Sequence, residues 1–573
     1  MIAGSSRTAG AWSLAWSVVL TGVVLGPLLR VLLPGGGHLL LRDAVSTPRS
    51  YLTDSALGLS DSAARAVPQD AVVAVATTVV DGGVLVVGLL SLALIAAGWG
   101  AAQMTARVLG GASTGPRLVA ATVAVWNPYV AERLLQGHWS LLVGYAALPW
   151  TVVATMTLRD RGDLRSAAPL VLCLGIAGLT PTGVLLCAVL AVVVLAAPGG
   201  ARRVRRLVVV AVTTVIVSLP WLVATAVSGA GTGADPAGVA AFAARAEPGL
   251  GTIGALAGLG GIWNADAVPG SRTSLFAVVG TAVLLGLAAA GLPRLRRTAS
   301  PVVAALLLTG AVSVVLVALA ATPIGLDVGR WAAESVPGAG LFRDGQKWVA
   351  LWMPALALSA GAAVDRPGRA ATRPRLAAVS AVAALLVVLP DLAWGVHGAL
   401  RPVDYPAGWS SVIDFVGPSD ALVAVLPTGT FRRFDWSGEA PVLDPAPRLL
   451  DADVLGTGDL PVGGTVVRGE NTVAGRVEGL LLAGAPASDL AALGVGWILV
   501  ERSAGESGNS ARTLAGLKPV YADADLTLYS LADPAPRPRS DRLPAIVAHL
   551  LWAAAVLISA GVAVTRARRT RTR

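Results

Sequence analysis

The apolar positions of this chain gather into long runs, spread from one terminus to the other rather than confined to a single anchor. Runs near the ~20 residues needed to cross a ~30 Å hydrocarbon core lie at 11–33, 82–104, 117–135, 139–158, 207–226, 274–293, 299–321, 347–363, 376–397 and 543–564. About ten full spans are expected. The first, Ala11 to Leu33, is too long for a secretory h-region and no convincing small-x-small cleavage site follows it, so it reads as a retained span.

Charge adds topology. Arginines cluster on alternate connections: Arg7; Arg107 and Arg117; Arg159, Arg161 and Arg165; Arg202, Arg203, Arg205 and Arg206; Arg294, Arg296 and Arg297; Arg366, Arg369, Arg373 and Arg375; and the tail from Arg566 to Arg573. With Asp160, Asp163 and Asp365 these groups carry +19, which leaves −9 for the rest of a chain whose net charge is +10. The positive-inside bias puts all of them, and both termini, in the cytoplasm.

The same parity demands that the apolar stretch from Arg165 to Arg202 cross an even number of times. Thr180-Pro181-Thr182-Gly183 offers the turn, with arms of ~13 and ~15 residues that reach only ~20 Å each. A short or re-entrant helical hairpin follows, twelve helices in all; a single Pro-kinked helix with an imperfect charge rule is the alternative.

On the outer side this leaves segments 34–81, 227–273 and 322–346, and the long stretch 398–542. Within the first, Pro68 to Asp81 reads as the start of an interfacial helix. The long stretch carries 12 basic and 18 acidic residues and mixes β-branched runs (Ala421 to Leu426, Val495 to Val500) with turn signals and helical patterns. It is expected to be a small extracytoplasmic α/β domain. The division is therefore a transmembrane domain over 1–397, the α/β domain over 398–542, and a last span with a basic tail over 543–573.

Composition agrees: 55% of the 573 residues are apolar and 14% charged, with a mean hydropathy of +0.70, which excludes a wholly soluble protein. Cys173 and Cys187, both in apolar runs, exclude a disulfide framework and a cysteine zinc site. Gly249 to Gly254 formally matches G-x-G-x-x-G, but no βαβ context surrounds it.

Ionisable groups at membrane depth or at a helix mouth are costly, which makes them functional candidates, although headgroup-facing charges and local ion pairs produce the same pattern. Asp43, in Arg42-Asp43 just beyond the first span, is the leading general base; an ion pair with Arg42 or Arg49 is the plain alternative. At the end of the third run, Glu132, Arg133, Gln136 and His138 crowd the interface beside Tyr129 and Trp139. Arg343 and Lys347 in Phe342-Arg343-Asp344-Gly345-Gln346-Lys347 share a helical face suited to a phosphate, or equally to a local salt bridge. Trp263, Asn264 and Arg245 lie in a loop able to hold a glycan or act as a lid.

Taken together, Arg42-Asp43, the Asn127-Pro128-Tyr129 to Gly137-His138-Trp139-Ser140 segment running into Leu148-Pro149-Trp150, short helices near Pro181, the F-R-D-x-x-K stretch and a terminal α/β domain resemble the GT-C superfamily of polytopic membrane glycosyltransferases. The likeness is to the YfhO-like bacterial proteins and the actinobacterial arabinofuranosyltransferases. The resemblance implies transfer of a sugar from a polyprenyl-phosphate donor to an envelope glycan or lipid outside the cytoplasmic membrane. Asp43 would be the base with Glu132 as understudy. Arg343, Lys347, Arg133 and His138 would meet the donor phosphate, and Trp263, Asn264 and Arg245 the acceptor. Membrane lipids are expected partners and nucleic acid is not. A divalent cation stays open as cofactor, with no metal ligand set identifiable. A lipid-linked glycan transporter or a non-catalytic assembly scaffold are the rival classes.

Overall fold

The computed structural model describes residues 2–60, 66–161, 163–200, 202–227, 235–365, 372–462, 464–469, 471–538 and 540–571. The side chains of Arg7, Arg366, Arg369, Arg373 and the Arg566–Arg573 tail, named above for topology, lie outside the described set. Helices dominate, as a polytopic membrane protein requires.

Among the described residues seven helices are long and apolar enough to cross a bilayer: Thr8–Leu32, Gly82–Val108, Trp139–Arg161, Arg203–Val227, Phe276–Arg296, Pro301–Ala320 and Leu543–Thr565. Three of the ten expected spans are broken. The run 117–135 splits into Thr114–Val125 and Pro128–Leu135. Pro128 has no N–H to give the helix, and Asn127 turns extended (φ −155°, ψ 161°) to cap the second piece, its Oδ1 accepting from Val130 N at 3.1 Å. The run 347–363 opens as a 3₁₀ stretch, Gly345–Trp352, before the helix Met353–Ala363. The run 376–397 bends by 75° between Pro374–Val387 and Pro390–Gly398, and counts as an eighth crossing only if the pair is one span.

The expected hairpin is present as Ala168–Ala177 and Pro181–Ala196. Thr180 caps the second arm by accepting from Gly183 N at 3.0 Å. Where an interfacial helix is expected from Pro68, a helix forms over Gln69–Ala76 with Val75 exposed, and Val79 just beyond it is exposed too.

Short strands join distant parts of the chain. β1 (His38–Leu41) pairs with β2 (Ala44–Val45) on one side and with β3 (Pro402–Val403) on the other, both antiparallel. β4 (Leu422–Leu426) precedes two small hairpins, β5 (Phe431–Arg432) with β6 (Val442–Leu443) and β7 (Leu460–Val462) with β8 (Thr465–Val467). It then pairs in parallel with β9 (Val495–Glu501), and β10 (Pro519–Ala522) and β11 (Leu526–Ser530) complete a four-stranded sheet in the order β10-β11-β9-β4. Period-two alternation sets its two cores. Val423 and Val425 pack with Trp409 and Val412 on one face, whereas Leu422, Ala424 and Leu426 pack with Val477 and Leu481 on the other.

The sheets and the Asp43 turn lie on one side of the helices. Gly82–Val108 starts against Gly37 and His38 and runs away to Arg107; Trp139–Arg161 starts beside His138 and runs away to Arg159 and Arg161.

Candidate functional site

Asp43 stands on the two-residue turn of the β1–β2 hairpin. Arg42 takes a left-handed conformation there (φ 46°), uncommon for a residue with a side chain, and three bonds hold it. Its guanidinium donates to Leu135 O at 2.8 Å and Asp266 O at 2.6 Å, and its carbonyl accepts from Leu443 N at 2.8 Å. Asp43 N donates to Gln136 O at 3.2 Å. Gly137 (φ 83°) lets the hairpin come this close, since a methyl group there would collide with Leu41 O and Ala44 N.

A chain of polar groups runs from Asp43 into the protein. Arg133, wholly buried, makes a bidentate pair with Asp344, Nη1 to Oδ2 at 2.9 Å and Nη2 to Oδ1 at 3.2 Å, and also bonds Gln346 Oε1. Its Nη1 lies 3.0 Å from His138 Nδ1. A guanidinium only donates, so Nδ1 is the acceptor and the imidazole proton sits on Nε2, which donates to Asp43 Oδ2 at 2.9 Å. Gln136 Nε2 donates to the same oxygen at 3.1 Å, and Gln136 Oε1 accepts from Asn264 Nδ2 at 2.7 Å. Among the described residues no hydrogen bond ends on the Asp43 Oδ1.

Exposure sorts these groups. The Asp43 side chain is 29% exposed, Lys347 26% and His138 16%, whereas Arg133 is closed off. Lys347 Nζ is 3.5 Å from Asp344 Oδ2 and close enough to act on Asp43. Burial pushes the Asp43 carboxyl up, but hydrogen bonds from His138 and Gln136, with the Lys347 ammonium, hold it below its ordinary value. Burial, helped by Lys347 and Arg133, outweighs Asp43 and lowers His138, which keeps the imidazole neutral as its tautomer requires. Burial also works against the Asp344 carboxylate, and Arg133 and Lys347 overcome it.

Glu132 points elsewhere. Fully buried, it accepts from Gly261 N (3.1 Å), Ile262 N (3.2 Å) and Gln346 Nε2 (3.0 Å), and so fixes a loop rather than facing a mouth. Below that loop Arg272 and Glu247 form a second sealed pair, Nε to Oε1 at 3.2 Å. A cavity nearby, lined by Trp126, Asn127, Gly258 and Arg272, has ≈ 20 Å³ of free room, about one water. Asp43 and Lys347 are the more open groups and form the rim of the network.

The remaining candidates divide. Arg343 lies 4.7 Å over the Phe242 ring, which meets Trp263 edge to face at 4.7 Å. Asn264 joins the Asp43 network through Gln136. Arg245 donates from its backbone to Gly261 O at 2.9 Å and from Nη1 to Ala246 O at 3.2 Å. Its Nε and Nη2 are buried with no hydrogen-bond partner among the described residues. No three His, Cys, Asp or Glu among the described residues converge as a metal ion would need.

Sequence reasoning gave Asp344, Gln346 and Gly137 no part in the site, and named Gln136 at the interface without a catalytic or binding role. Their signal was present: Arg133, Gln136 and His138 follow one another at a helix end, and Asp344 and Gln346 interleave with Arg343 and Lys347.

Comparison with solved structures places the fold. The cryo-EM structure of the arabinofuranosyltransferase AftD from Mycobacteria superposes with a TM-score of 0.58 at 18% identity, covering 92% of this chain and 40% of that one. A mutant form of the same enzyme matches at 0.57 and 18%, covering 91% and 41%. The chain shares their fold. It spans about two fifths of the length of those arabinofuranosyltransferase structures. The likeness to arabinofuranosyltransferases read from the sequence thus holds for the fold. No protein-family model and no curated protein matches the sequence.

Proposed function

We propose that the chain is a membrane glycosyltransferase that moves a sugar from a polyprenyl-phosphate donor to an envelope glycan or lipid on the outer side of the cytoplasmic membrane. Both termini are then cytoplasmic, and 398–542 is an extracytoplasmic domain between the helical domain 1–397 and the last span with its tail, 543–573. The observation that carries this reading is a partly exposed carboxylate, kept ionised, on the same rim as a lysine. Asp43 takes the proton of an acceptor hydroxyl as that oxygen attacks the anomeric carbon. The bond to the polyprenyl phosphate breaks, its electron pair leaves with the phosphate, and Lys347 and Arg343 meet the charge.

The remaining residues of the network support this rather than touch substrate. His138 presents Nε2–H to Asp43 and orients it; Arg133 and Asp344 fix the His138 tautomer; Glu132 holds the 260–262 loop. Asn264, bonded to Gln136, and Trp263, packed on Phe242, are assigned to the acceptor, as is Arg245. The fold shared with an arabinofuranosyltransferase supports the reaction class.

Transfer by the purified chain in lipid, with a panel of radiolabelled polyprenyl-phosphate sugars and envelope glycans, tests the reading. Asp43→Asn should lower turnover about 10²–10⁴-fold with unchanged membrane insertion and melting. Wild-type turnover in that variant would remove Asp43 from the chemistry. Absence of transfer with every donor, alongside intact lipid binding, would favour a transporter or scaffold.

A further inference from the structure

The segment 322–346, read from the sequence as a loop, contains a helix whose surface has three distinct faces. Two residues separate Pro323–Ser335 from the last residue of the span Pro301–Ala320, and Thr322 caps it by accepting from Gly325 N at 3.2 Å. Ile324, Val328 and Trp331 fall at i, i+4 and i+7 and therefore share one stripe. They are 78%, 58% and 62% exposed. Asp327, Arg330 and Glu334 form the neighbouring stripe, with Arg330 bonded to Asp327 at 2.6 Å. The third face packs on protein: Ala333 is buried, and a methyl group at Gly329 would collide with Val239.

An apolar stripe with a large exposed aromatic, flanked by charges and attached by a tight turn to the end of a membrane span, is matched by the boundary between headgroups and acyl chains. The chain then continues directly to the cationic rim. Phe342, 59% exposed, stacks on Trp348 at 5.2 Å, and Arg343 and Lys347 lie beside these two rings in sequence. We propose that the helix Pro323–Ser335 lies in the bilayer interface with Ile324, Val328 and Trp331 among the lipid chains, so that a lipid-borne phosphate reaches Arg343 and Lys347 along it. The second half of this statement rests on the transferase reading; the first half does not.

The experiment uses the full chain in vesicles of phosphatidylcholine and phosphatidylglycerol at 3:1. Nitroxide labels are placed one at a time on Ile324→Cys, Val328→Cys and Trp331→Cys, and on Asp327→Cys, Arg330→Cys and Glu334→Cys. The unsubstituted chain reports any labelling of Cys173 and Cys187. Collisions with oxygen should dominate over those with a water-soluble nickel chelate at 324, 328 and 331, placing these labels about 5–10 Å below the headgroups, and the order should reverse at 327, 330 and 334. Chelate access at all six would overturn the proposal. So would shielding of 324, 328 and 331 from both reagents, since a protein surface would then cover the stripe.

For the second half, Ile324→Asp with Val328→Asp should raise KM several-fold for a long-chain lipid donor embedded in the vesicle. kcat should hold, and KM for a short-chain, water-soluble donor of the same sugar should be unchanged. An equal rise for both donors would overturn the route, and the label accessibilities stand whether or not any transfer is found.

Discussion

Two arginines in this protein are both buried and both paired with acids, and their surroundings differ. Arg133, beneath the Asp43 turn, pairs with Asp344 and passes a hydrogen bond through His138 to a carboxylate that reaches the surface. Arg432, in the sheet, donates from Nε to Glu501 Oε2 at 2.5 Å, from Nη2 to Asp444 Oδ2 at 2.9 Å and from Nη1 to Gly429 O at 2.6 Å. Its acids go nowhere: Glu501 is fully covered and the Asp444 side chain is 9% exposed. The carboxyl groups respond in opposite ways. Burial, with the charge of Asp444, pushes Glu501 up against the pull of Arg432, whereas donors pull Asp43 down. A buried ion pair alone is weak evidence of a site, and an outlet to solvent distinguishes the two clusters.

The largest effect that separates them is on stability. Arg432→Ala leaves two covered acids without their counter-ion and should cost about 3–5 kcal/mol. Transfer per folded molecule should remain at the level of the unsubstituted chain. Chemical denaturation with a parallel activity assay checks both halves. Loss of transfer at full folded yield would make the sheet cluster part of the chemistry and erase the contrast.

A smaller effect is expected on the rim. Lys347→Gln removes the charge and shortens the side chain by only one atom, which loses a charge-assisted contact of about 1.5–3 kcal/mol with the departing phosphate. KM for the lipid donor should rise by roughly 10–100-fold while KM for the acceptor stays within about twofold. Comparable rises for both substrates would reduce Lys347 to a partner of Asp344.

What could be read from the sequence follows from the range of each interaction. Apolar runs depend only on neighbours, and seven of the ten expected spans stand as long helices. The Asn127-Pro128 break was a local signal too, but the apolar count outweighed it. Asp43, Arg343 and Lys347 stood out because ionisable groups at helix mouths are rare. Their assembly was not legible, since Asp43 meets His138 across 95 residues and Arg133 meets Asp344 across 211. For the same reason Glu132 and Arg133 looked like exposed chemistry: a single chain read linearly does not show that Gly261, Ile262 and Asp344 come to cover them. The stripe of Ile324, Val328 and Trp331 had the helical period in plain view, within a segment too short and too charged to register as a span.

The smallest effect is also the one that tests the internal wiring of the site. His138→Ala leaves Asp43 on its turn, still bonded by Gln136 and near Lys347, so turnover at pH 7 should fall by less than about tenfold. The pH profile should change more visibly. The Asp43 carboxyl is depressed in the folded protein, so it is ionised throughout the neutral range; the stability this contributes is present above the unfolded aspartate value of about 3.9 and is lost as pH falls through the folded value. The acid limb of turnover therefore belongs below about pH 4 in the unsubstituted chain. Removing His138 takes away the hydrogen bond that offsets burial, so the carboxyl rises and the acid limb moves toward neutral pH. Gln136→Ala, which deletes the weaker donor to the same oxygen, should move it the same way by less. An unshifted limb in His138→Ala, with reduced turnover at every pH, would mean that His138 holds the hairpin in place without tuning Asp43, and the chain from Arg133 would then end one residue short of the chemistry.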